Sequence, residues 1–195
     1  MKIGDFLYFA PGIHFDSLDL TSPEIVDHFR SRIRGYYLEP ARMLADQGHA
    51  FGAVVLLASA IDALARFERP ARERNQVRYT NWIKDYVPSL GTKDLADKFY
   101  DDFRCGVVHE GRAKKGCVFT TEIGRAVWVE DGIMAVHPVR FWEEISQVLE
   151  TFCARTLGSP ALLQNLQRQL RDDFKAEMRI APVAVALKAT DPSGT

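Results

Sequence analysis

The stretch HAFGAVVLLASAIDALARFERP (residues 49–70) decides the fold, because its residues are apolar or small on every side of a helix. Only Ser59 and Asp62 interrupt the apolar run at its centre. A helix that is hydrophobic all round belongs at the centre of a bundle, where other helices cover each of its faces. We therefore predict a central helix here, ended by Pro70, with further helices packed around it.

The residues before this stretch carry the start and stop signals of two more helices. Ser22 is the predicted N-cap of the first, with Pro23 at its first helical position and Gly35 as its stop. The second follows Pro40, and Gly48 can end it in a left-handed conformation. Two helices are therefore expected ahead of the central one.

Helical signals continue after the central stretch. A short helix is predicted from an N-cap at Thr80 to the neighbourhood of Pro88. The next helix begins at the N-cap Thr92 and is expected to end between Gly106 and Gly111. Two helices are thus expected between the central stretch and Gly111.

The pattern then changes from helix to strand. β-Branched and aromatic residues dominate CVFTTE (117–122) and RAVWVEDGIMAV (125–136), with a turn signal at Asp131-Gly132. This pattern predicts a two- or three-stranded antiparallel hairpin. Helices resume at residue 138 and again at Ser159-Pro160, where a capping residue precedes proline.

These elements predict an all-α protein, a helical bundle with a small β-hairpin inserted after a late helix. Residues 1–20 mix aromatics with proline and glycine, and we expect them to be extended or irregular. Residues 21–176 form the predicted helical domain. Residues 177–195 lack a helical period and have the composition of a tail.

Composition limits the classes of function. The formal net charge is −1 and the pI about 6.5, so any nucleic-acid contact must come from a local basic patch. Three cysteines without a C-x-x-C argue against a disulfide framework and a four-thiolate zinc site. Asp5 and Pro11 interrupt the N-terminal apolar stretch, so no signal peptide is expected. No run approaches the ~20 apolar residues that span a bilayer, and a soluble cytoplasmic protein is expected.

The segment FYDDFRCGVVHEGR (99–112) places Arg104 and His109 five positions apart at the end of a late helix. The acid Asp62 in the central helix, the aromatic-rich YTNWIKDY (79–86) before this segment and the hairpin after it complete an order of elements. That order resembles the HEPN superfamily. Its members are all-α bundles, and many are ribonucleases with an R-x4-H motif.

The resemblance covers about residues 22–157. It implies that Arg104 and His109 are the catalytic residues of a metal-independent endoribonuclease without a cofactor. The implied substrate is RNA, such as tRNA or phage-related transcripts in a toxin or phage-defence setting. The implied partners are a second copy in a homodimer and an antitoxin or nucleotidyltransferase.

Two positions differ from common members of the superfamily. Many have a polar residue directly after the motif arginine, where this chain has Cys105. Some have a tyrosine two residues after the histidine that a partner nucleotidyltransferase modifies, where this chain has Gly111. The alternative function is therefore a non-catalytic HEPN-like module that binds RNA, a nucleotide or a protein partner.

The chemistry of the two motif residues suits RNA cleavage. A histidine titrates near neutral pH and can take the proton of the 2′-OH, while arginine can hold phosphate oxygens with two parallel hydrogen bonds. Five residues along an α-helix separate two side chains by about 140°. Arg104 and His109 therefore converge only if the helix loosens or if two copies of the motif meet. The alternative is that both residues stabilise the negative C-terminal end of their helix.

Asp62 and Cys105 are the predicted supporting residues. A buried carboxylate without a partner costs several kcal/mol, so Asp62 should have one. The candidates are Arg66 one turn later, a backbone or hydroxyl donor, and Arg104. Cys105 is expected to pack in the bundle, and the alternative is a thiolate nucleophile paired with His109.

Charged residues on both sides of the motif suggest an RNA-binding surface. A phosphate-tracking surface is predicted from six basic residues: Arg72, Arg74, Arg78, Arg112, Lys114 and Lys115. A solvated charged loop is the alternative for them. Asp101 and Asp102 are expected to lie on a solvated helix face, with a metal role as the alternative, and no metal site is predicted.

Overall fold

A computed structural model describes residues 2–3, 6–68, 73–106, 112, 114, 117–122 and 124–179 of the chain. This part is mostly helical, as the sequence predicts. Its α-helices are α1 (Ile25–Ile33), α2 (Glu39–Asp46), α3 (Ala50–Glu68), α4 (Asn75–Tyr86), α5 (Lys93–Lys98), α6 (Pro138–Leu157) and α7 (Pro160–Asp173). The strands are β1 (Lys2–Ile3), β2 (Phe6–Ala10), β3 (Ile13–His14), β4 (Val118–Phe119), β5 (Val127–Glu130) and β6 (Ile133–Val136). Arg34–Leu38 and Phe99–Arg104 are π-helical.

The chain divides into two compact units. The terminal unit comprises Met1–Tyr36 and Cys153–Thr195, and the central unit comprises Tyr37–Phe152. The terminal unit contains β1, β2, β3, α1 and α7, while the central unit contains α2 to α5 and the second sheet. The central unit also contains the motif arginine and the acid of the apolar helix.

α3 is the core helix of the central unit. It packs against α2, α4 and the π-helical segment Phe99–Arg104. Nine of its residues are buried: Ala53, Val54, Leu57, Ala58, Ala60, Ile61, Leu64, Ala65 and Phe67. The helix forms where the all-round apolar sequence predicts it, because each apolar face has a neighbouring element to cover it.

The length of α3 corrects one expectation from the sequence. The helix has 19 residues and a mean hydropathy of 1.8 in its most apolar window, which is enough to cross a bilayer by length and composition. Half of that window is buried inside the protein, and the buried core helix of a soluble protein can pass the same test of length and composition. A cytoplasmic location stays a prediction.

Three predicted helix boundaries are confirmed by their capping geometry. Thr92 Oγ1 accepts the N–H of Leu95 at 3.3 Å at the start of α5. Ser159 Oγ accepts the N–H of Leu162 at 3.4 Å at the start of α7. Gly48 follows α2 with φ +80°, the left-handed conformation that favours glycine. Each of these signals is local, so the sequence alone was enough to place it.

The first helix begins later than predicted and does not stop at Gly35. Ser22 Oγ accepts the N–H of Glu24 at 3.2 Å, but regular α-helix starts only at Ile25. Gly35 lies inside the π-helical segment Arg34–Leu38. A Cβ at Gly35 would lie 2.5 Å from Pro11 Cγ, so the glycine permits close packing and does not end the helix.

The helix predicted to start at Thr80 starts five residues earlier, at Asn75. Thr80 is a buried interior residue of α4 and caps nothing. The cause is tertiary, because Arg78 and Tyr79 are buried and the helix extends backward to place them. Part of the predicted basic loop is therefore helix.

The N-terminal residues form a small antiparallel sheet in the order β1-β2-β3, within the region expected to be extended or irregular. In the same unit, the rings of Phe9, Phe15 and Phe174 pack together with centroid separations of 5.4 to 5.7 Å. The guanidinium of Arg32 lies over Phe174 at 4.7 Å and over Phe9 at 5.2 Å. An aromatic cluster around one arginine thus joins the N-terminal sheet to α7.

The second sheet has the order β4-β6-β5. β5 and β6 pair antiparallel around Asp131 (φ 48°) and Gly132 (φ 76°), the two positive φ values of a type I′ turn. β4 pairs with β6 in parallel, which corrects the expectation of antiparallel strands throughout. Strand propensity gives no information about which edge a strand joins, so β4 could not be oriented from its residues.

Replacing Gly35 by alanine should destabilise the protein. The added methyl would meet the rigid ring of Pro11, and overpacking of this kind costs about 1–3 kcal/mol in free energy of unfolding. Chemical denaturation of wild type and Gly35→Ala measures the difference. Gly124→Ala is the control, because nothing lies within 4 Å of its Cβ position. Equal stability of the two variants would contradict the close packing of Gly35.

Candidate functional site

A cleft of about 330 Å³ lies beside Arg104 in the central unit. Residues of α3 and α4 form its walls, together with Tyr37 and Arg104. Its polar lining residues are Ser59, Asp62, Arg66, Asn75, Arg78 and Arg104. We call it the arginine cleft, since three of these side chains are arginines and one is a carboxylate.

Asp62 and Arg104 form an ion pair at the edge of the arginine cleft. Arg104 Nη2 donates to Asp62 Oδ2 at 2.7 Å. The side chains are 14% and 28% exposed for Arg104 and Asp62, so the pair is largely shielded from water. Burial opposes the charged guanidinium, but the hydrogen bond and charge of Asp62 outweigh it and raise the pKa of Arg104. Of the predicted partners for Asp62, the motif arginine is one that the structure pairs with it.

The backbone before Arg104 is π-helical, where a continuous α-helix was expected. Cys105 N–H donates to the carbonyl of Tyr100, five residues earlier, in place of the α-helical partner. Phe99 and Phe103 are fully buried and stack at 5.5 Å inside this segment. The angle between Arg104 and His109 is not tested, because His109 lies outside the described residues. π-Helical turns of this kind are rare and frequent at functional sites.

Tyr100 contacts the Arg104 guanidinium, and Tyr79 contacts Tyr100. The guanidinium carbon of Arg104 lies 5.5 Å from the centroid of the Tyr100 ring, within the range of a cation–π contact. The Tyr100 ring packs against Tyr79 at 5.3 Å. Tyr79 is fully buried and donates its hydroxyl to the Ala58 carbonyl at 3.4 Å. Burial, reinforced by the charge of Asp62, raises the pKa of Tyr79 well above its usual value, so the hydroxyl stays a donor.

Arg78 enters the cleft from the first turn of α4. It was predicted to lie on a solvated or RNA-tracking loop, but it is only 7% exposed. Its Nη2 donates to Asn75 Oδ1, one turn earlier on the same helix. Among the described residues, its Nε has no hydrogen-bond partner. Arg78 and the motif arginine line the same cleft, but the sequence showed neither the burial of Arg78 nor its contact with Asn75.

The other predicted basic residues lie elsewhere. Arg74 is the exposed N-cap of α4, and Arg112 is exposed; neither lines the arginine cleft. Lys114 is half-buried, and its N–H donates to the Asp102 carbonyl at 2.9 Å. Arg72, Lys115 and the motif residue His109 lie outside the described residues. The structure therefore brings Arg104, Asp62 and Arg78 together.

Asp102 corrects the prediction of a solvated acidic face. Its side chain is fully buried and pairs with Lys98 Nζ at 2.6 Å, while Asp101 is exposed. Cys117 Sγ also donates to Asp102 Oδ2 at 3.7 Å, and burial raises the pKa of that thiol. The sequence signal was the spacing of Lys98 and Asp102, four residues apart on one helix face.

The described residues contain no group of three or more histidine, cysteine, aspartate or glutamate side chains placed to hold a metal ion. Cys105 is half-buried, and its thiol lies within hydrogen-bonding reach of Tyr100. Its predicted packing in the bundle is thus only partial.

Gly106 fixes the path of the chain after the motif arginine. Arg112 N–H donates to the Gly106 carbonyl at 3.2 Å. A Cβ at Gly106 would overlap the carbonyl oxygen of Arg112 and lie 3.1 Å from Lys114 Cγ. Only glycine allows the backbone of Arg112 to approach this closely. The contact between Gly106 and Arg112 therefore begins two residues after Arg104.

No protein-family model matches the chain, and no significant match is found among curated proteins or solved structures. The HEPN resemblance therefore stays a prediction. Functional conclusions depend on the geometry of the chain's own residues.

Asp62→Asn should destabilise the protein by about 1–3 kcal/mol, because it leaves the shielded Arg104 guanidinium without its charged partner. Denaturant unfolding of Asp62→Asn, Arg104→Gln and the double variant measures the coupling of the pair, expected at about 1 kcal/mol or more.

Asp101→Asn is the matched control, since that carboxylate is exposed on the segment that carries Arg104. Its stability should stay within about 0.5 kcal/mol of wild type. Strictly additive effects of Asp62→Asn and Arg104→Gln would show that the two side chains do not interact.

Proposed function

We propose that the protein is a metal-independent endoribonuclease of the HEPN type. In this proposal Arg104 holds the scissile phosphate and His109 takes the proton of the 2′-OH. The 2′-oxygen then attacks phosphorus, the bond to the 5′-oxygen breaks, and the leaving oxygen is protonated. The products are a 2′,3′-cyclic phosphate and a 5′-hydroxyl.

The observation that carries this proposal is the fixed position of Arg104 at the edge of a cleft rich in arginine. Asp62 and Tyr100 hold its guanidinium before any ligand arrives. A preorganised cation loses little side-chain entropy when it binds, and it acts at full strength on charge that develops in the transition state. The ion pair thus supports a role for Arg104 in stabilising a phosphorane-like transition state.

His109 enters the proposal through its place in the sequence. It follows Gly106 by three residues and precedes Arg112 by three. Those two anchors are hydrogen-bonded to each other at 3.2 Å, and Gly106 lies two residues from Arg104. A histidine between such anchors fits the role of a general base that acts beside the motif arginine.

The HEPN-like bundle with its hairpin, the substrate and the biological setting are part of the same proposal. tRNA or phage-related transcripts as substrates, an antitoxin or nucleotidyltransferase as partner, and a role in defence follow from the resemblance alone. The non-catalytic alternative, a module that binds RNA or a nucleotide, also has a supporting observation. The buried Arg78 faces the cleft, and anion binding there needs no general base.

Cleavage of RNA in the presence of chelator tests the enzymatic proposal. Wild type should cut single-stranded or looped RNA and leave 2′,3′-cyclic phosphate ends. His109→Ala should lower the rate by roughly 10²–10⁴-fold, because the general base is lost. Arg104→Ala should lower it by roughly 10²–10³-fold, because the charge stabiliser is lost.

Arg140→Ala is the control for general loss of positive charge, since Arg140 is exposed on α6 and does not line the cleft. Circular dichroism verifies that each variant is folded. Equal cutting by wild type, Arg104→Ala and His109→Ala would assign the activity to a contaminant and overturn the proposal.

We also propose that the active form is a homodimer in which two motifs face one cleft. The segment that contains Tyr100, Arg104 and Val108 is the proposed contact, although Val108 lies outside the described residues. A net charge of −1 gives one subunit little long-range attraction for RNA, whereas two arginine clefts side by side double the local positive charge. A twofold contact buries the same patch on both subunits.

Dilution tests the homodimer. Molecular mass by light scattering and specific activity are measured over the same concentration range. Activity per mole of chain should fall in parallel with the dimer fraction. Full activity in a protein that is monomeric at every concentration would rule out a shared cleft.

A further inference from the structure

Arg78 is the side chain of the cleft whose environment is incomplete. It is more than nine-tenths buried, and its Nε has no hydrogen-bond partner among the described residues. A charged donor that is withdrawn from water and left unsatisfied is destabilising. Asn75 fixes the orientation of the guanidinium through Nη2, and Arg78 lines the cleft. The Arg78 guanidinium is thus held beside the cleft with hydrogen-bonding capacity that the described residues do not use.

The start of α4 adds a second attraction at the same place. α4 has 12 residues, no side chain caps its N-terminus and its first turn contains no acidic residue. Within α4 itself, no side chain therefore neutralises the partial positive charge of the helix start. Asn75, the first residue of α4, lines the cleft next to Arg78. The described lining residues include one carboxylate, Asp62, against three arginines.

The volume of the cleft and an aromatic side chain in its lining indicate which class of anion fits it. A volume of about 330 Å³ is at the lower end for ligand pockets, which suits a single nucleotide better than a duplex. Tyr37 is the aromatic residue in the described lining, and it is half-buried. Unpaired bases stack on aromatic side chains of this kind in proteins that bind single-stranded nucleic acid.

We infer that the arginine cleft binds one nucleotide of a single strand, with its phosphate on Arg78 at the start of α4 and its base against Tyr37. The inference rests on the proposed function, because the bound nucleotide would lie next to the phosphodiester bond that is cleaved. Arg78 and Tyr37 are then positioning residues, distinct from Arg104 and His109. Binding itself does not require cleavage, so the two can be tested apart.

Isothermal titration calorimetry with the four ribonucleoside 5′-monophosphates tests the inference, because none of them has a phosphodiester bond to cleave. At least one should bind wild type more tightly than either its nucleoside or inorganic phosphate. Arg78→Gln should weaken that binding by roughly tenfold or more, because a charge-assisted hydrogen bond is lost. Tyr37→Leu should weaken it by roughly fivefold or more, because base stacking is lost.

Arg140→Gln is the matched control and should bind as wild type does, since this arginine is exposed on α6 and does not line the cleft. If Arg78→Gln does not fold, Asn75→Ala takes its place. Asn75 is exposed, and its loss frees the guanidinium from its fixed orientation, so nucleotide binding should fall by about threefold or more.

The inference is overturned if no monophosphate binds, if inorganic phosphate binds as tightly as the nucleotide, or if the folded cleft variants bind as wild type does. RNA cleavage by the same preparations separates this failure from failure of the proposed function. If RNA is cleaved in a way that depends on Arg104 but no nucleotide binds, the inference about the cleft is wrong and the ribonuclease proposal stands. If a nucleotide binds in a way that depends on Arg78 but no RNA is cleaved, the ribonuclease proposal is wrong and the protein is a binding module.

Discussion

A carboxylate in the middle of an otherwise apolar helix imposes a requirement on the rest of the central unit. Asp62 lies on α3 next to buried residues and its side chain is only 28% exposed, so a cation that pairs with it is stabilising. That cation is Arg104, 42 residues later in the chain. To deliver it, the segment Phe99–Arg104 packs against α3, and its buried phenylalanines fill the space beside the helix. The ion pair and the hydrophobic contacts therefore fix the same piece of backbone.

A second acid anchors that segment from its other side. Asp102 is fully buried with Lys98 and Cys117, and its carbonyl accepts the N–H of Lys114. The chain that leaves Gly106 thus returns to a residue only four positions earlier than Gly106. Arg104 lies between Asp102 and Gly106 in the sequence, so contacts on both sides hold the backbone that carries it. A backbone held at two points suits the phosphate contact that we propose for this residue.

The parts of the fold that sequence could predict are those with local causes. α3 was placed because its apolar residues surround the helix, and Thr92, Ser159 and Gly48 were placed because each satisfies backbone groups of its own helix end. Distant contacts set the features that were missed. Pro11 explains Gly35 and the burial of Tyr79 explains the early start of α4. The pairing of β4 with β6 also depends on distant residues, because the two residues of β4 do not indicate which strand they join.

The candidate site shows the same division. The need for a partner at Asp62 follows from expected burial, but the sequence offered three kinds of donor, and the packing of Phe99–Arg104 on α3 is what brings Arg104 to it. Arg78 illustrates the opposite case. Its position among other arginines suggested solvent, yet the helix that carries it turns it inward. Arg78 lies between Val77, which is exposed, and Tyr79, which is buried, so its sequence neighbours do not show which way its side chain turns.

The terminal unit is assembled from both ends of the chain, with the whole central unit between them. On the ribosome, Phe9 and Phe15 are synthesised before the central unit, but Phe174, whose ring they contact, is synthesised after it. The central unit can therefore fold while Phe9 and Phe15 still lack this aromatic partner. During that interval the two rings and the edges of the first strands lack contacts that the complete chain provides, and exposed rings and unpaired edges of this kind favour aggregation.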